Sequence, residues 1–466
     1  MQPARLPSRA GITILRVRPL PTRSMSRTLA EWLDYQQRVH PHAIELGLER
    51  VRAVWRRLGA PAPAPVVISV GGTNGKGSTT AFLQSMLAAA GKRVGAYTSP
   101  HLLRYNERVH VAGREASDDA LCAAFARIET ARGGIALTYF EFGTLAALLL
   151  FAEAALDAAV LEVGLGGRLD AVNLIDADVA IVTTVDLDHQ DWLGRDRDSI
   201  GREKAGIFRP GRPAVIGERD PPQGLLAAAA ETRARVLRAG RDFDVRAQID
   251  AWRWWSQGSG ERAGGGHPCA DEEPGSALMI GKIALAGPHQ IDNAAAALAA
   301  LWALRDRLGW NGAACVEGLA RAQLAGRLQR LADAPELRVD VAHNPQAARE
   351  LAAWIDAHPV RGRTLAVFSA LADKDLAGIA AALGARIAHW HLAGITDAGT
   401  RGLDADAVAT RLAPVIPADR RSTHVDLAAA LAAARASATV HDRIVAFGSF
   451  HVVAAVLAGS GAGAGV

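Results

Sequence analysis

Gly71-Gly-Thr-Asn-Gly-Lys-Gly-Ser78 follows the apolar run Val66–Val70 and precedes a periodic segment. A buried strand that enters a glycine-rich turn at a helix N-terminus makes an anion site. Backbone N–H groups converge there, and the helix dipole adds positive potential. Thr73, Asn74, Gly75, Lys76, Gly77 and Ser78 would cradle the phosphates of a nucleotide, with Lys76 reaching the β- and γ-phosphates. A common P-loop has Gly at 70 and Ser or Thr at 77, whereas Val70 and Gly77 stand here. An ordinary glycine-rich turn is the bland alternative; strand, turn, lysine and helix together weigh against it.

Three other apolar runs carry polar residues near their ends. Ser99 follows Val94–Tyr97, Glu162 lies within Ala158–Val163, and His189 follows Val179–Val185 with Asp186 and Asp188 beside it. In a doubly wound sheet, ligands collect at the carboxyl ends of strands. A hydroxyl, a carboxylate and an imidazole there suit a hard cation carrying phosphates, Mg²⁺ first, with Mn²⁺ able to replace it. Singly, Ser99 reads as a turn residue before Pro100, and His189 is evenly balanced between structure and function. Glu162 is hardest to dismiss, because an unpaired buried charge is costly. Lys204 falls in the helical pattern Ser199–Phe208, where the residues alone favour a salt bridge to Glu203 or a nearby carboxylate. Asn293 and Arg327 suit nucleotide contacts and Asp340 a ribose acceptor, although each type is more often a cap or a surface residue. His343 and Asn344 head a helix, where they could reach phosphates or merely cap.

The elements that must position these groups follow from patterning. Half of the 466 residues are hydrophobic and 21% are charged, which excludes a wholly disordered chain or a tiny disulfide scaffold and predicts two or three domains. Fifty-two basic against 48 acidic residues leave +4, too mild to argue for nucleic acid. Cys122, Cys269 and Cys315 match no zinc spacing and read as free thiols. No uncharged apolar run reaches the ~18 residues of a membrane helix; Leu145–Val163 is broken by Glu153, Asp157 and Glu162. Residues 1–24, with five arginines and no acid, read as a disordered extension or an over-called start, with an amphipathic segment from Met25. Strands at Val66–Val70, Val94–Tyr97, Ala158–Val163, Val179–Val185 and Pro213–Gly217 alternate with helices such as Ser78–Ala90 and Phe140–Ala155. A second set, Leu337–Val341, Thr364–Phe368, Ala388–Leu392 and Arg443–Phe447, follows the helices Ile291–Leu304 and Ala313–Ala322 and includes Pro345–Ala357 and Leu427–Ala436. This predicts an α/β chain: a doubly wound, mostly parallel P-loop domain over 25–324 and a smaller Rossmann-like α/β domain over 325–466. Ser256–Ser276 reads as a polar surface loop between hairpin-like strands, and the tail after Ala458 as frayed.

Gly72-Thr-Asn-Gly-Lys-Gly-Ser78 resembles the ATP loop of the Mur ligase superfamily, in its folylpolyglutamate synthase/dihydrofolate synthase branch. Thr98-Ser-Pro-His-Leu102, Leu137-Thr-Tyr-Phe-Glu141, Leu161-Glu-Val-Gly-Leu-Gly-Gly-Arg-Leu-Asp170 and Asp188-His-Gln-Asp-Trp-Leu-Gly194 agree with that branch. So do Arg202-Glu-Lys-Ala-Gly-Ile-Phe208, Val339-Asp-Val-Ala-His-Asn-Pro345 and Phe447-Gly-Ser-Phe-His451. The matches run in the family's order from about Leu29 to about Val453. The resemblance implies ATP between two domains, contacted by Asn293, Arg327 and Asp340, with Lys76 as a catalytic residue. It implies two Mg²⁺ ions, one on Ser99 and Glu162, the other on His189 and a Lys204 carbamylated by CO₂, these last two also counted as catalytic. Dihydropteroate contacts are implied at Ile44, Glu45 and Leu46, at Thr138, Tyr139, Phe140 and Glu141, and at Leu169, Asp170 and Ala171. His343 is placed with the substrate contacts, and Asp373-Lys-Asp375 and Ser449 resemble segments that face the cleft. Two departures stand out: Ala171-Val-Asn173 for the family's Ala-Thr-Asn, and Leu324-Ala-Gly326 for its Leu-Pro-Gly.

The implied activity is ATP-dependent amide formation through an acyl phosphate. L-glutamate is added to dihydropteroate, giving dihydrofolate, and to tetrahydrofolates, giving folylpolyglutamates. A monomer in the cytoplasm, with no nucleic-acid or membrane partner, is expected. A monofunctional folylpolyglutamate synthase and a P-loop nucleotide switch without ligase activity are the alternatives. A cell-wall Mur ligase would need a further N-terminal domain, for which the ~40 residues before the first helix pattern leave no room.

Overall fold

The computed structural model describes residues 27–40, 42, 44–257, 277–396 and 398–460. The first set of apolar runs builds one eight-stranded sheet from β1 (Val66–Gly71), β2 (Val94–Tyr97), β3 (Val109–Val111), β4 (Arg114–Glu115), β5 (Ala158–Glu162), β6 (Val179–Val182), β7 (Pro213–Ile216) and β8 (Arg235–Arg238). Their order is β4-β3-β2-β5-β1-β6-β7-β8, parallel except for the β3–β4 edge. β1, β2, β5 and β6 are buried at every residue, as strands covered on both faces must be. Within β1, Val67 packs into the core beneath the helix Tyr139–Glu153. Val66, Ile68 and Val70 pack into the opposite core, beneath Lys76–Ala89 and Gln290–Ala303. This alternation is the period of two that a pleated strand imposes.

The expected hairpin is present as β9 (Phe243–Ala247), β10 (Trp252–Ser256) and β11 (Ala277–Ile280), all antiparallel. The polar loop between β10 and β11, residues 1–26 with the start of the Met25 segment, and Cys269 lie outside the described residues. The last helix, Phe450–Gly459, runs one residue past Ala458, and 461–466 lie outside the described residues. The second apolar set builds β12 (Gln329–Asp333), β13 (Glu336–Asp340), β14 (Thr364–Phe368), β15 (His389–Ala393), β16 (Arg421–His424) and β17 (Arg443–Phe447). These form a six-stranded sheet in the order β12-β13-β17-β14-β15-β16, parallel except for β12. Cys122 and Cys315 are free thiols. Among the described residues no helix is long and apolar enough to cross a membrane.

One strand is shorter than its apolar run. β6 ends at Val182 rather than Val185, because residues 183–186 leave the sheet to hydrogen-bond the loop after β1. β1 lies between β5 and β6, so the chain leaves it toward one side of the sheet and later crosses to the other. That is the switch point where a doubly wound sheet opens a crevice.

Candidate active site between the two parallel sheets

The carboxyl ends of β1, β2, β5 and β6 face those of β13 and β17 across a cleft of about 700 Å³. The loop after β1 needs glycine at two places. Gly72 (φ +142°) and Gly75 (φ +87°) adopt backbone that side chains rarely tolerate, and a Cβ there would strike the Thr183 hydroxyl or the Asn293 side-chain oxygen. Gly75 caps the helix Lys76–Ala89, which aims its N-terminus into the cleft. Lys76 folds back on the loop, its Nζ donating to the carbonyls of Gly72 and Thr73 at 3.1 Å each. Burial pushes the Lys76 ammonium down, against the pull of Glu162 and Asp188.

The segment after β6 anchors this loop. Thr183 Oγ1 donates to the Asn74 carbonyl (2.5 Å), Thr184 Oγ1 accepts from the Asn74 N–H (3.2 Å), and the Asp186 N–H donates to Thr73 Oγ1 (3.0 Å). The hydroxyl of Thr73 therefore braces the loop. The Asn74 side chain crosses to the second sheet: its amide and that of Asn344 exchange hydrogen bonds at 3.0 Å, and it also donates to Gln346.

Glu162 is 4% exposed at the end of β5. One oxygen accepts from the Ser99 N–H (3.2 Å), and the other stands toward Gly77. Burial raises this carboxyl, partly offset by Lys76, Ser99 and Arg327. His189 has φ +51°, a left-handed conformation that histidine tolerates better than most residues, and burial pushes its imidazole down to about 4. It is therefore neutral and able to ligate. In the helix Arg197–Ala205, Ile200 and Lys204 share the inward face four residues apart. Glu203 points outward and pairs with Arg168 (2.8 Å), so the salt bridge that the residues alone favoured for Lys204 is not formed with it. Among the described residues no carboxylate lies within ion-pair reach of the Lys204 ammonium, although it is 3% exposed. Burial, then the nearby Lys76 charge, pushes it down to about 7.

The second sheet contributes Asp340, whose carboxylate accepts from the N–H groups of Leu328 (2.8 Å) and Ala342 (2.7 Å). Arg327 is half-buried beside Phe450 (5.6 Å to the ring), and desolvation lowers its guanidinium. His343 bonds the Val341 carbonyl through Nδ1 (2.8 Å) and turns Nε2 to Asp188 (3.5 Å). Asn293 is buried on its helix and donates to Gln290.

Thus Thr73, Asn74, Lys76, Gly77, Ser99, Glu162, His189, Lys204, Asn293, Arg327, Asp340 and His343 all line one cleft. Among the described residues no three His, Cys, Asp or Glu side chains converge to hold a metal. A hydroxyl and one buried carboxylate nevertheless fit Mg²⁺, which keeps its waters and takes one or two carboxylates plus substrate phosphates.

The remaining candidates gather elsewhere. The Gly47 N–H donates to the Leu169 carbonyl (3.2 Å), and Arg50 bridges Glu45 and Glu141, joining Ile44–Leu46, Thr138–Glu141 and Leu169–Ala171 into one cluster. None of these residues lines the cleft; Phe140 abuts it by packing its ring against Gly164. Thr138 and Glu141 cap their helix reciprocally, and both Asp170 oxygens accept backbone N–H groups. Burial raises the Asp170 carboxyl to about 6.

Some cleft residues carried little signal. Asp188 drew notice only as a neighbour of His189, yet it is, with Asn74, a crossing point between the sheets. Lys374 Nζ stands 2.6 Å from its Oδ1, and Asn344 Nδ2 donates to its Oδ2 (3.2 Å). Burial pushes this carboxyl up, but His343 and Lys374 hold it well below the usual range. Glu218 follows β7 as Ser99 follows β2, so the strand-end rule could have found it. Burial raises it to about 7. Arg108, held to His101 (2.8 Å), had no signal in the sequence.

Residues 70–301 match the Mur ligase middle domain and residues 326–450 the Mur ligase glutamate ligase domain. The chain is 44% identical over 429 residues to the dihydrofolate synthase/folylpolyglutamate synthase of Escherichia coli (strain K12), covering 92% of this chain and 94% of that protein. It superposes on E. coli FolC in complex with DHPP and ADP with a TM-score of 0.84 at 44% identity, over 94% of this chain and 98% of the other. A bifunctional folylpolyglutamate synthase/dihydrofolate synthase with Mn, AMPPNP and L-glutamate bound gives 0.80 at 43% identity, over 93% and 98%.

Proposed function

The chain belongs to the dihydrofolate synthase/folylpolyglutamate synthase branch of the Mur ligases, ATP-dependent ligases that join glutamate to folates, and from that premise we propose how its own residues divide the work. The loop Thr73–Ser78 takes the triphosphate of ATP, with Lys76 leaving the Gly72 and Thr73 carbonyls for the β- and γ-phosphates. Asn293, Arg327 and Asp340 take the rest of the nucleotide. Ser99 and Glu162 would hold one divalent cation, and His189 and a carbamylated Lys204 a second, which together would offset the charge of the phosphates. Carbamylation is favoured by the unpartnered amine: its neutral form attacks CO₂, an N–C bond forms and a proton leaves. Dihydropteroate lies toward the cluster of Ile44–Leu46, Tyr139, Phe140 and Leu169–Ala171. Thr138 and Glu141 shape that wall through their cap, and His343 faces the substrates from the second sheet.

A substrate carboxylate attacks the γ-phosphorus, the bond to ADP breaks, and an acyl phosphate forms. The amino group of L-glutamate then attacks the acyl carbon, a C–N bond forms, the nitrogen gives up a proton, and phosphate leaves with its bonding electrons. Water must be kept out meanwhile, and the contacts from Asn74 and Asp188 to the second sheet close the cleft on that side. The same steps on a tetrahydrofolate extend its glutamate chain. The ATP-binding unit runs to about residue 324 and the second begins near 325, supported by Leu324 packing on the first unit's core while Leu328 sits in the second's. The chain is proposed to act as a monomer in the cytoplasm. The observation that carries this reading is the buried Glu162 and the half-buried Lys76 lining one cleft at the switch point beneath a second sheet. ATP, Mg²⁺, dihydropteroate and labelled glutamate should give dihydrofolate by product mass. ATP use that does not depend on glutamate would point to the nucleotide switch, and product from tetrahydrofolate alone to the monofunctional enzyme.

A further inference from the structure

Residues 183–189 serve three parts of the site at once. They hold the phosphate loop through Thr183, Thr184 and Asp186, present His189, and reach the second sheet through Asp188. Such a segment, outside any strand or long helix, needs its own support; Arg349 supplies part of it at Asp186 (2.8 Å), and another part falls on the buried Val185. Arg197 donates from Nε to the Val185 carbonyl (2.9 Å). Its Nη2 reaches Glu218 Oε2 (3.1 Å) and the Asp220 carbonyl (2.8 Å). The Val185 N–H faces the Glu218 carboxylate and offsets part of the cost of burying it. One ion pair therefore holds the Val185 carbonyl directly and sets a carboxylate against its N–H. Glu218 Oε1 is buried with no protein partner, so this carboxylate is not spread over other protein contacts. A planar guanidinium can bridge two carbonyls and a carboxylate at fixed angles, which an ammonium cannot.

We propose that Glu218 and Arg197 are positioning residues: by fixing the Val185 peptide they set where the phosphate loop, His189 and the Asp188 link stand. The effect on turnover rests on the ligase reading; the effect on the segment does not. A displacement of about 1 Å at a reacting centre can cost on the order of 10²-fold, and partial loosening less. Glu218→Gln keeps the shape but removes the charge, and Arg197→Lys keeps the charge but loses the fork. Each should lower kcat by about 10-fold, and the double variant should be little worse than either, as expected of one unit. KM for dihydropteroate should stay within about twofold, because that cluster does not touch the segment. Hydrogen exchange of the amides of 183–189 should speed up by about 10-fold in both variants, with β1, β5 and the helix Phe450–Gly459 unchanged. Unchanged exchange, unchanged kcat, or faster exchange across the whole first sheet would each overturn the proposal. If the unsubstituted protein shows no glutamate-dependent ADP release, the ligase reading fails while the exchange comparison still decides whether the brace exists.

Discussion

Lys204 and Arg443 are equally buried, each 3% exposed, and the molecule treats them in opposite ways. Arg443 opens β17 at the end of the second sheet away from the cleft. It donates to Glu336 (2.7 Å) and to the His358 carbonyl (2.6 Å), and lies 4.6 Å from the ring of Trp354, which Arg338 also flanks at 4.6 Å. Lys204, in the cleft, has no such company. Two carboxylates repeat the contrast. Glu141, 3% exposed, accepts from the Thr138 N–H (2.8 Å) and faces Arg50 (3.2 Å). Glu162 accepts one N–H and leaves an oxygen toward the loop. Taking a charge out of water is costly unless partners replace the solvent. Burial alone therefore says little about function. A buried charge whose cost is not met within the chain says more, because something else must meet it when the site works.

Substitutions should break the molecule along this line. Lys76→Ala removes the cation proposed to face the phosphates and should lower glutamate-dependent ADP release by ~10³-fold, about 4 kcal/mol of transition-state stabilisation. Its urea unfolding curve should barely move; a rate near that of the unsubstituted protein would remove Lys76 from the mechanism. Next in size is the matched pair Lys204→Met and Arg443→Met. Arg443→Met should destabilise by about 3 kcal/mol, since it leaves Glu336 short of its partner, while turnover per folded molecule stays within twofold. Lys204→Met should do the reverse: stability held or raised, turnover down by ~10²-fold. Equal stability losses from both would erase the distinction between them. Intact mass under bicarbonate should show one added CO₂ on the unsubstituted protein and none on Lys204→Met.

A smaller effect tests the same point by titration. In metal-free, CO₂-depleted protein, the Lys204 ammonium releases its proton near 7 when folded and near its ordinary 10.5 when unfolded. Below about 7 both states hold the proton, and the full cost of burying the charge is present. Between about 7 and 10.5 unfolding takes up a proton, so raising the pH favours the folded state, by at most ~1.4 kcal/mol per pH unit for one group. Thermal midpoints followed across that window should rise relative to those of Lys204→Met. Parallel midpoint curves for the unsubstituted protein and Lys204→Met would show that the amine is not strained by burial.

The sequence carried the parts of this picture that depend on short-range pattern. Apolar runs bounded by turns located the central strands of both sheets to within a few residues, and the strand-end rule picked out Ser99, Glu162 and His189. Pattern failed where partners come from far along the chain. Asp188 meets Lys374, 186 positions away, and Asn74 meets Asn344, 270 away; no local spacing encodes either pair. The end of β6 at Val182 was illegible for the same reason, since Thr183–Val185 is as β-branched as a strand but the two threonine hydroxyls bond the loop after β1. Whether a buried charge is met was hidden too. Lys204 beside Glu203 invites a local pair, and only the helix face decides that Glu203 turns to Arg168 instead.

The smallest effect concerns Thr138, where a structural and a substrate role compete for one hydroxyl. Its Oγ1 accepts from the Glu141 N–H (3.2 Å) while Glu141 returns a carboxylate to the Thr138 N–H (2.8 Å). Both side chains are thereby committed to the helix start. Thr138→Ala should cost about 1 kcal/mol of stability, read by urea unfolding, and Thr138→Ser should restore most of it. If the hydroxyl acts only as a cap, KM for dihydropteroate should change less than twofold in both variants, and the rings of Tyr139 and Phe140 are left to make the contact. Dihydropteroate binding weakened by about tenfold or more in Thr138→Ala, with unchanged stability, would move Thr138 from the class of groups satisfied within the fold to the class kept open for a ligand. It would also weaken the rule that internal pairing separates the two.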